Sequence, residues 1–161
     1  MFNDCNSYKL NTRFSFDEPV EIIWNEIIDF ENWPSWWTGI ERVDNLHHPE
    51  SVEGNTYKSI VRGYIPYSLV FYSFIDKIVP MTLISTKING DLEGGGVCRF
   101  SEKGTGTELW LEWNVSPTKL WMKILSPVAR SYFVKNHDKI LNKGFEGLIK
   151  NLEKKRPNGT K

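Results

Sequence analysis

The chain has 161 residues, with 20 Lys and Arg against 20 Asp and Glu, 40% hydrophobic and 25% charged residues. That length suits one domain, and the composition excludes wholesale disorder and collagen-like or low-complexity architecture. The zero net charge removes the usual electrostatic reason to expect nucleic acid or an anionic membrane as partner.

Seven Trp, six Tyr and nine Phe exceed what a core of this size needs and point to an internal cavity or a contact surface. Two cysteines, Cys5 and Cys98, are too few for a disulfide framework and indicate a reducing compartment. The first residues show no basic stretch leading into an apolar one, and no apolar run is long enough to span a bilayer. A cytoplasmic protein with no integral membrane segment is the expectation, so the sequon Asn158-Gly159-Thr160 reads as coincidence in a polar tail.

Tyr8, Leu10, Thr12, Phe14 and Phe16 alternate with polar residues, the period of a first, edge-proximal strand with one wet face. Asp17-Glu18-Pro19 supplies an N-cap acceptor and a proline tolerated early in a helix. Val20, Ile23, Trp24, Ile27 and Ile28 then predict a helix over about 18–30. Six acids and no bases lie between positions 17 and 31, which reads as a solvated acidic face. Asn32-Trp33-Pro34-Ser35-Trp36-Trp37-Thr38-Gly39 predicts a break and a second short helix.

From 40 to 117 the period is two, in about six blocks separated by glycine and proline, including residues 90–96. The short connections imply an antiparallel meander. After Pro117 the pattern is helical again: a short segment through Leu125, then Ser126-Pro127 as cap and first turn of a long helix ending near Lys154. Its apolar stripe is Ala129, Tyr132, Phe133, Ile140, Leu141, Gly144, Leu148 and Leu152. The reading is a single domain over 1–161, with an ordered core at about 8–154 and a fraying tail at 155–161.

One strand, two short helices, six strands and a long helix become compact when the antiparallel sheet curls around the terminal helix, an α+β helix-grip arrangement. Specific words accompany that order: Val20-Glu21-x-x-Trp24, Trp33-Pro34-x-Trp36-Trp37, Arg62-Gly63-x-x-Pro66-Tyr67-x-Leu69-x-Phe71, Gly90-Asp91-Leu92-Glu93-Gly94, Gly106-Thr107, Trp113-x-Val115, Thr118-Lys119-x-Trp121-Met122, and Asn136-His137-Asp138 followed by Gly144-x-x-Gly147-Leu148. Over roughly residues 8–152 the chain resembles the START-like (SRPBCC) superfamily, in its bacterial polyketide cyclase/dehydrase-like branch. The resemblance implies an apolar ligand held between a seven-stranded sheet and the long helix. Cys98 stands where similar sequences tend to carry Trp, and Leu120 where they tend to carry Pro, so cavity volume and the approach to the helix are expected to differ.

Strand parity assigns the cavity wall to Leu69, Phe71 and Ile75, to Ile84, Thr86 and Ile88, to Cys98 and Phe100, and to Leu109, Leu111, Trp113 and Val115. Phe133, His137, Ile140 and Leu141 share one helical stripe. His137 is the one inward group titrating near neutrality, and it reads as hydrogen-bonded structure, as a ligand contact, or as the acid/base of a cyclase. Asp138 diverges by about 100° and forms no same-face dyad with it. Trp33, Trp36 and Trp37 either gate the cavity and stack on a ring or pack the two short helices. The resemblance makes Arg62 and Tyr67 motif positions, candidates for orienting a ligand oxygen or for stabilising the turn between them.

No metal site is expected, since His47-His48 are adjacent and His137 is distant. No cofactor is implied either, because Gly94-Gly95-Gly96 lie between strands as hairpin glycines and lack a helix N-terminus for phosphate. Asp91 and Glu93 share a strand face and form a candidate acid pair on the exposed side. Val70, Tyr72 and Phe74 make the outer face of one strand apolar, a candidate surface for a homodimer. Three functions follow: binding or transport of a small hydrophobic or aromatic ligand (lipid-, polyketide- or isoprenoid-like), polyketide cyclase/dehydratase chemistry at His137, or protein interaction through the outer apolar strand with the cavity filled by Trp113 and Phe133.

Overall fold

The computed structural model describes residues 7–47, 51–63 and 66–156, with the backbone alone at 126–129. Cys5, His48 and the sequon at Asn158 lie outside the described residues.

The alternation in the first strand is realised as β1 (Tyr8–Phe16), its even positions turned inward. Helix α1 (Val20–Ile28) follows, then a single 3-10 turn (Phe30–Asn32) and α2 (Trp33–Trp36). Six strands complete the sheet: β2 (Ile40–Asn45), β3 (Thr56–Val61), β4 (Leu69–Val79), β5 (Leu83–Gly90), β6 (Leu92–Lys103) and β7 (Gly106–Pro117). All neighbours are antiparallel, in the order β1-β7-β6-β5-β4-β3-β2, so the meander is complete and β1 is an edge paired to β7. Bulges between Ile40 and Arg42 and between Ile75 and Lys77 interrupt the ladders, where an extra residue bends a strand.

The long helix α3 (Leu120–Lys155) covers 36 residues, about 54 Å at 1.5 Å per residue. It begins well before the start that Ser126-Pro127 predicts, because the short segment before the proline and the long helix after it are continuous. Proline removes one backbone donor, which does not divide this helix. At the other helix start, Asp17 does not cap: α1 begins at Val20 with Pro19 as its N-cap residue and no side-chain cap bond.

Asp17, Glu21, Asp29 and Glu31 are exposed, as a solvated acidic face requires, but Glu18 and Glu26 are not part of it. Glu26 accepts hydrogen bonds from Asn151 and Lys155, and Glu18 pairs with Arg156. The end of α3 is thereby tied to α1 through Glu26 and to the residue before its N-cap through Glu18, where the sequence alone suggested a fraying end.

Glycines set how closely α3 approaches α2. A Cβ on Gly147 would lie 1.9 Å from the backbone oxygen of Trp36, and one on Gly144 would lie 2.2 Å from the Trp37 ring. With Gly144 bare, the Trp37 indole donates to the Ile140 carbonyl at 2.9 Å. Leu148 and Leu152 bury themselves on the next turns.

The triplet Gly94-Gly95-Gly96 also departs from expectation. It lies inside β6, paired to Ile88, Lys87 and Thr86 on one side and to Val115, Asn114 and Trp113 on the other. The turn is at Asp91 instead. There the Asp91 carboxylate accepts from the Val70 N–H (2.9 Å) and from Lys119 (3.0 Å), while Thr118 donates through its hydroxyl to the Gly90 carbonyl. Asp91 is thus a tie joining β4, the β5–β6 turn and the approach to α3, and Glu93 stands exposed without joining it.

Gly147→Ala is expected to destabilise the fold by about 1–3 kcal/mol, because a methyl group has no space against a backbone oxygen. Urea unfolding measures it, and a change below about 0.5 kcal/mol would show that the helix contact is loose.

Candidate functional site

The concave face of the sheet and the inward stripe of α3 enclose a cavity of about 290 Å³. Alternation along each strand decides which side chains reach it. From β4 come Leu69, Phe71, Ser73 and Ile75, from β5 Ile84, Thr86 and Ile88, and from β7 Leu109, Leu111, Trp113 and Val115. Cys98 of β6 lines it too, its thiol pKa pushed far up by burial, which leaves it a small apolar group rather than a nucleophile.

Helix α2 and its flanks supply Trp33, Trp36 and Trp37 to the wall. They also pack as a cluster, ring centroids 5.0 Å apart for Trp33–Trp37 and 5.5 Å for Trp36–Trp37. Wall and packing are therefore the same atoms. The Trp33 indole donates to the Ile27 carbonyl, whereas the Trp36 indole N–H is buried without a hydrogen-bond partner.

From α3, Phe133, Asn136, His137, Ile140 and Leu141 face the cavity. His137 stacks on Trp113 with centroids 5.6 Å apart at 24°. Trp113 in turn lies over Gly96, where a Cβ would be 2.8 Å from its ring; this is what the mid-strand glycine permits. Phe71 meets Trp113 edge-on at 5.8 Å. Asp138 leaves the helix on a different face, yet its carboxylate comes 3.4 Å from His137 Nδ1, so the divergence in backbone direction does not keep the two side chains apart. Burial lowers the His137 pKa below its usual 6.5, opposed by the hydrogen bond and charge of Asp138. The imidazole is neutral at neutral pH, with Nε2 free of any protein hydrogen bond among the described residues.

Arg62 and Tyr67 stand outside the wall. Arg62 is exposed and pairs with Glu41 at 3.7 Å, its backbone N–H bound to the Gly39 carbonyl. The Tyr67 ring meets Trp121 edge-on at 4.7 Å, and its hydroxyl is buried with no hydrogen-bond partner. Burial raises the Tyr67 pKa, so it stays a neutral phenol.

Sequence reasoning assigned no role to Ser59, Ser73 or Asn136. The two serine hydroxyls line the wall of neighbouring strands β3 and β4 and make no side-chain hydrogen bond among the described residues. Parity could have found Ser73, two residues from Phe71. Asn136 is buried against Gly63, a contact that only tertiary structure creates. Among the described residues no group of three His, Cys, Asp or Glu could hold a metal ion, and no helix is long and apolar enough to cross a membrane.

A sheet curled over one long helix, with two short helices closing the end of an apolar cavity, defines the START-like helix-grip class of fold. This chain has that fold. Its backbone superposes on the Zhui aromatase/cyclase from Streptomyces sp. R1128 with a TM-score of 0.77 at 13% identity, over 94% of this chain and 97% of that one. A START superfamily protein from Mycobacterium smegmatis gives 0.68 at 18% identity, over 89% and 98%. A protein from Thermus thermophilus gives 0.69 at 13% identity, over 89% and 99%. No protein-family model and no curated protein sequence matches the chain.

Because the folded pKa of His137 is depressed, the unfolded chain takes up the proton first as pH falls. The stability this group contributes is present above about pH 6.5 and is lost as pH drops through the lower folded value. Melting temperature is expected to fall between about pH 7 and 5, and His137→Asn to reduce the slope. An unchanged slope in the variant would assign the acid sensitivity elsewhere.

Proposed function

We propose that this protein binds and carries a small, largely apolar ring-bearing or lipid-like molecule in the cavity between the sheet and α3. The observation that carries the reading is the cavity itself: about 290 Å³ lined mostly by aliphatic and aromatic side chains. An apolar cavity of roughly 150 Å³ already accepts benzene, so this one has room for a larger, multi-ring or branched hydrocarbon skeleton. Ser59, Ser73, Thr86 and His137 would meet the ligand's oxygens, while Trp36, Trp37, Leu69, Phe71, Ile88, Trp113 and Phe133 would cover its apolar surface. Arg62 and Tyr67 fit this reading as supports of the rim.

A second reading, proton transfer during ring closure of a polyketide-like substrate, draws on one observation. His137 is a neutral imidazole in an apolar wall, stacked on Trp113 and hydrogen-bonded to Asp138, an arrangement suited to a general base. The fold shared with the Streptomyces aromatase/cyclase makes polycyclic phenols sensible probes for both readings.

Native mass spectrometry of the protein as purified, followed by titration with polycyclic phenols and fatty acids, tests the proposal. Gly96→Val is expected to push the Trp113 ring into the cavity and to weaken probe binding at least tenfold. Saturable binding to the wild type with that loss supports carriage. Absence of any bound mass and of any saturable probe binding overturns it. Turnover of a probe that His137→Asn abolishes while sparing affinity would favour the enzymatic reading.

A further inference from the structure

Four large apolar side chains stand in solvent within six residues at the start of α3: Leu120 (72% exposed), Trp121 (42%), Ile124 (66%) and Leu125 (49%). At helical spacing they share one face about 140° wide. Met122, between them in sequence, turns the other way, is buried, and lines the cavity. The first turns of α3 therefore present an apolar surface on two sides, one to the cavity and one to water.

Charge is distributed to match. Residues 118–137 contain Lys119, Lys123, Arg130 and Lys135 and no acid, so the rest of the chain holds four more acids than bases. Zero net charge conceals a basic segment on an acidic body. Lys123 and Arg130 fall on one helical row beside the apolar face, and Lys119 precedes the helix as its extended N-cap residue; Lys119 is paired with Asp91, and Arg130 donates to the Ser7 carbonyl. Trp121 sits against Tyr67, an amphipathic indole at the border between the apolar face and the sheet.

We propose that the start of α3 is a docking surface for an anionic lipid bilayer, with Leu120, Ile124 and Leu125 entering the headgroup boundary and the basic row facing the lipid phosphates. An apolar face flanked by bases, with tryptophan at its edge, is the chemistry of a helix lying in a membrane interface. A second copy of the chain is the disfavoured occupant, because a two-fold contact through this face would set its basic row against itself with no acid in the segment to compensate. Since no helix among those described crosses a membrane, the association is peripheral. Docking would bring Met122, and with it one wall of the cavity, next to the bilayer. The proposal does not depend on which molecule fills the cavity.

Co-sedimentation of the full chain with vesicles tests it, comparing pure phosphatidylcholine with a mixture containing about a third phosphatidylglycerol. Binding to the anionic vesicles, little to the neutral ones, and weakening by added salt are expected. The double variant Leu120→Gln, Ile124→Gln should lose at least tenfold in binding and Lys123→Gln about fivefold, with circular dichroism unchanged because all three side chains lie outside the core. Gly96→Val should bind vesicles like the wild type even where it has lost cavity probes, which separates this proposal from the carrier reading. No binding to anionic vesicles overturns the proposal. So does wild-type binding by the double variant, or a concentration-dependent dimer that the double variant abolishes.

Discussion

Helix α3 crosses the whole concave face of the sheet but is clamped at one end, where Gly144 and Gly147 leave room for Trp37 and the Trp36 backbone. Everything enclosed depends on that contact. Where the helix has no side chain it can sit within van der Waals distance of α2; where it carries Phe133, His137 and Ile140 it stands off from the strands, meeting them through ring edges and stacks. Close-packed interiors seldom tolerate such a gap, and here large side chains on both surfaces, Trp113 against His137 and Tyr8 against Phe133, keep it from collapsing. Opposite charges hold the same end, Glu18 and Glu26 receiving Arg156, Asn151 and Lys155.

Within that space Ser59 and Ser73 stand on neighbouring strands and Thr86 on the next, and His137 faces the sheet from the helix. Burial keeps His137 neutral, which suits an apolar guest; protonation would place a cation beside Trp113 and raise the cost of filling the space. One residue thus links acid sensitivity of the fold to the character of the site.

The other end of α3 is arranged differently. Asp91 ties its approach to the sheet through Val70, Thr118 and Lys119, and beyond that anchor the helix exposes its apolar side chains instead of burying them. A single helix therefore supplies a clamp, a cavity wall and an exposed apolar edge, and the clamp lets the other two stay uncollapsed.

Much of this was legible in the residues. The period-two blocks from 40 to 117 gave the meander, and parity placed Leu69, Phe71, Thr86, Ile88 and Trp113 on the wall, because alternation is a local property of an extended backbone. Local rules misjudged the Ser126-Pro127 junction, the Gly94 to Gly96 triplet and the two acids Glu18 and Glu26, and the triplet and the acids are decided by distant partners. A glycine inside a strand is explained by Trp113 of the neighbouring strand, and Glu18 and Glu26 find their bases more than a hundred residues away. The position of Asp138 beside His137, the withdrawal of Arg62 to Glu41, and the burial of Asn136 on Gly63 likewise came only with tertiary structure. The sequence by itself determined the elements, their order and the inward-facing sets, because these follow from backbone periodicity. How closely α3 approaches α2 was decided by the missing Cβ atoms of Gly144 and Gly147 against Trp37 and the Trp36 backbone, and how far it stands from the sheet by ring contacts such as Trp113 on His137, because both are contacts between distant residues that no local pattern encodes.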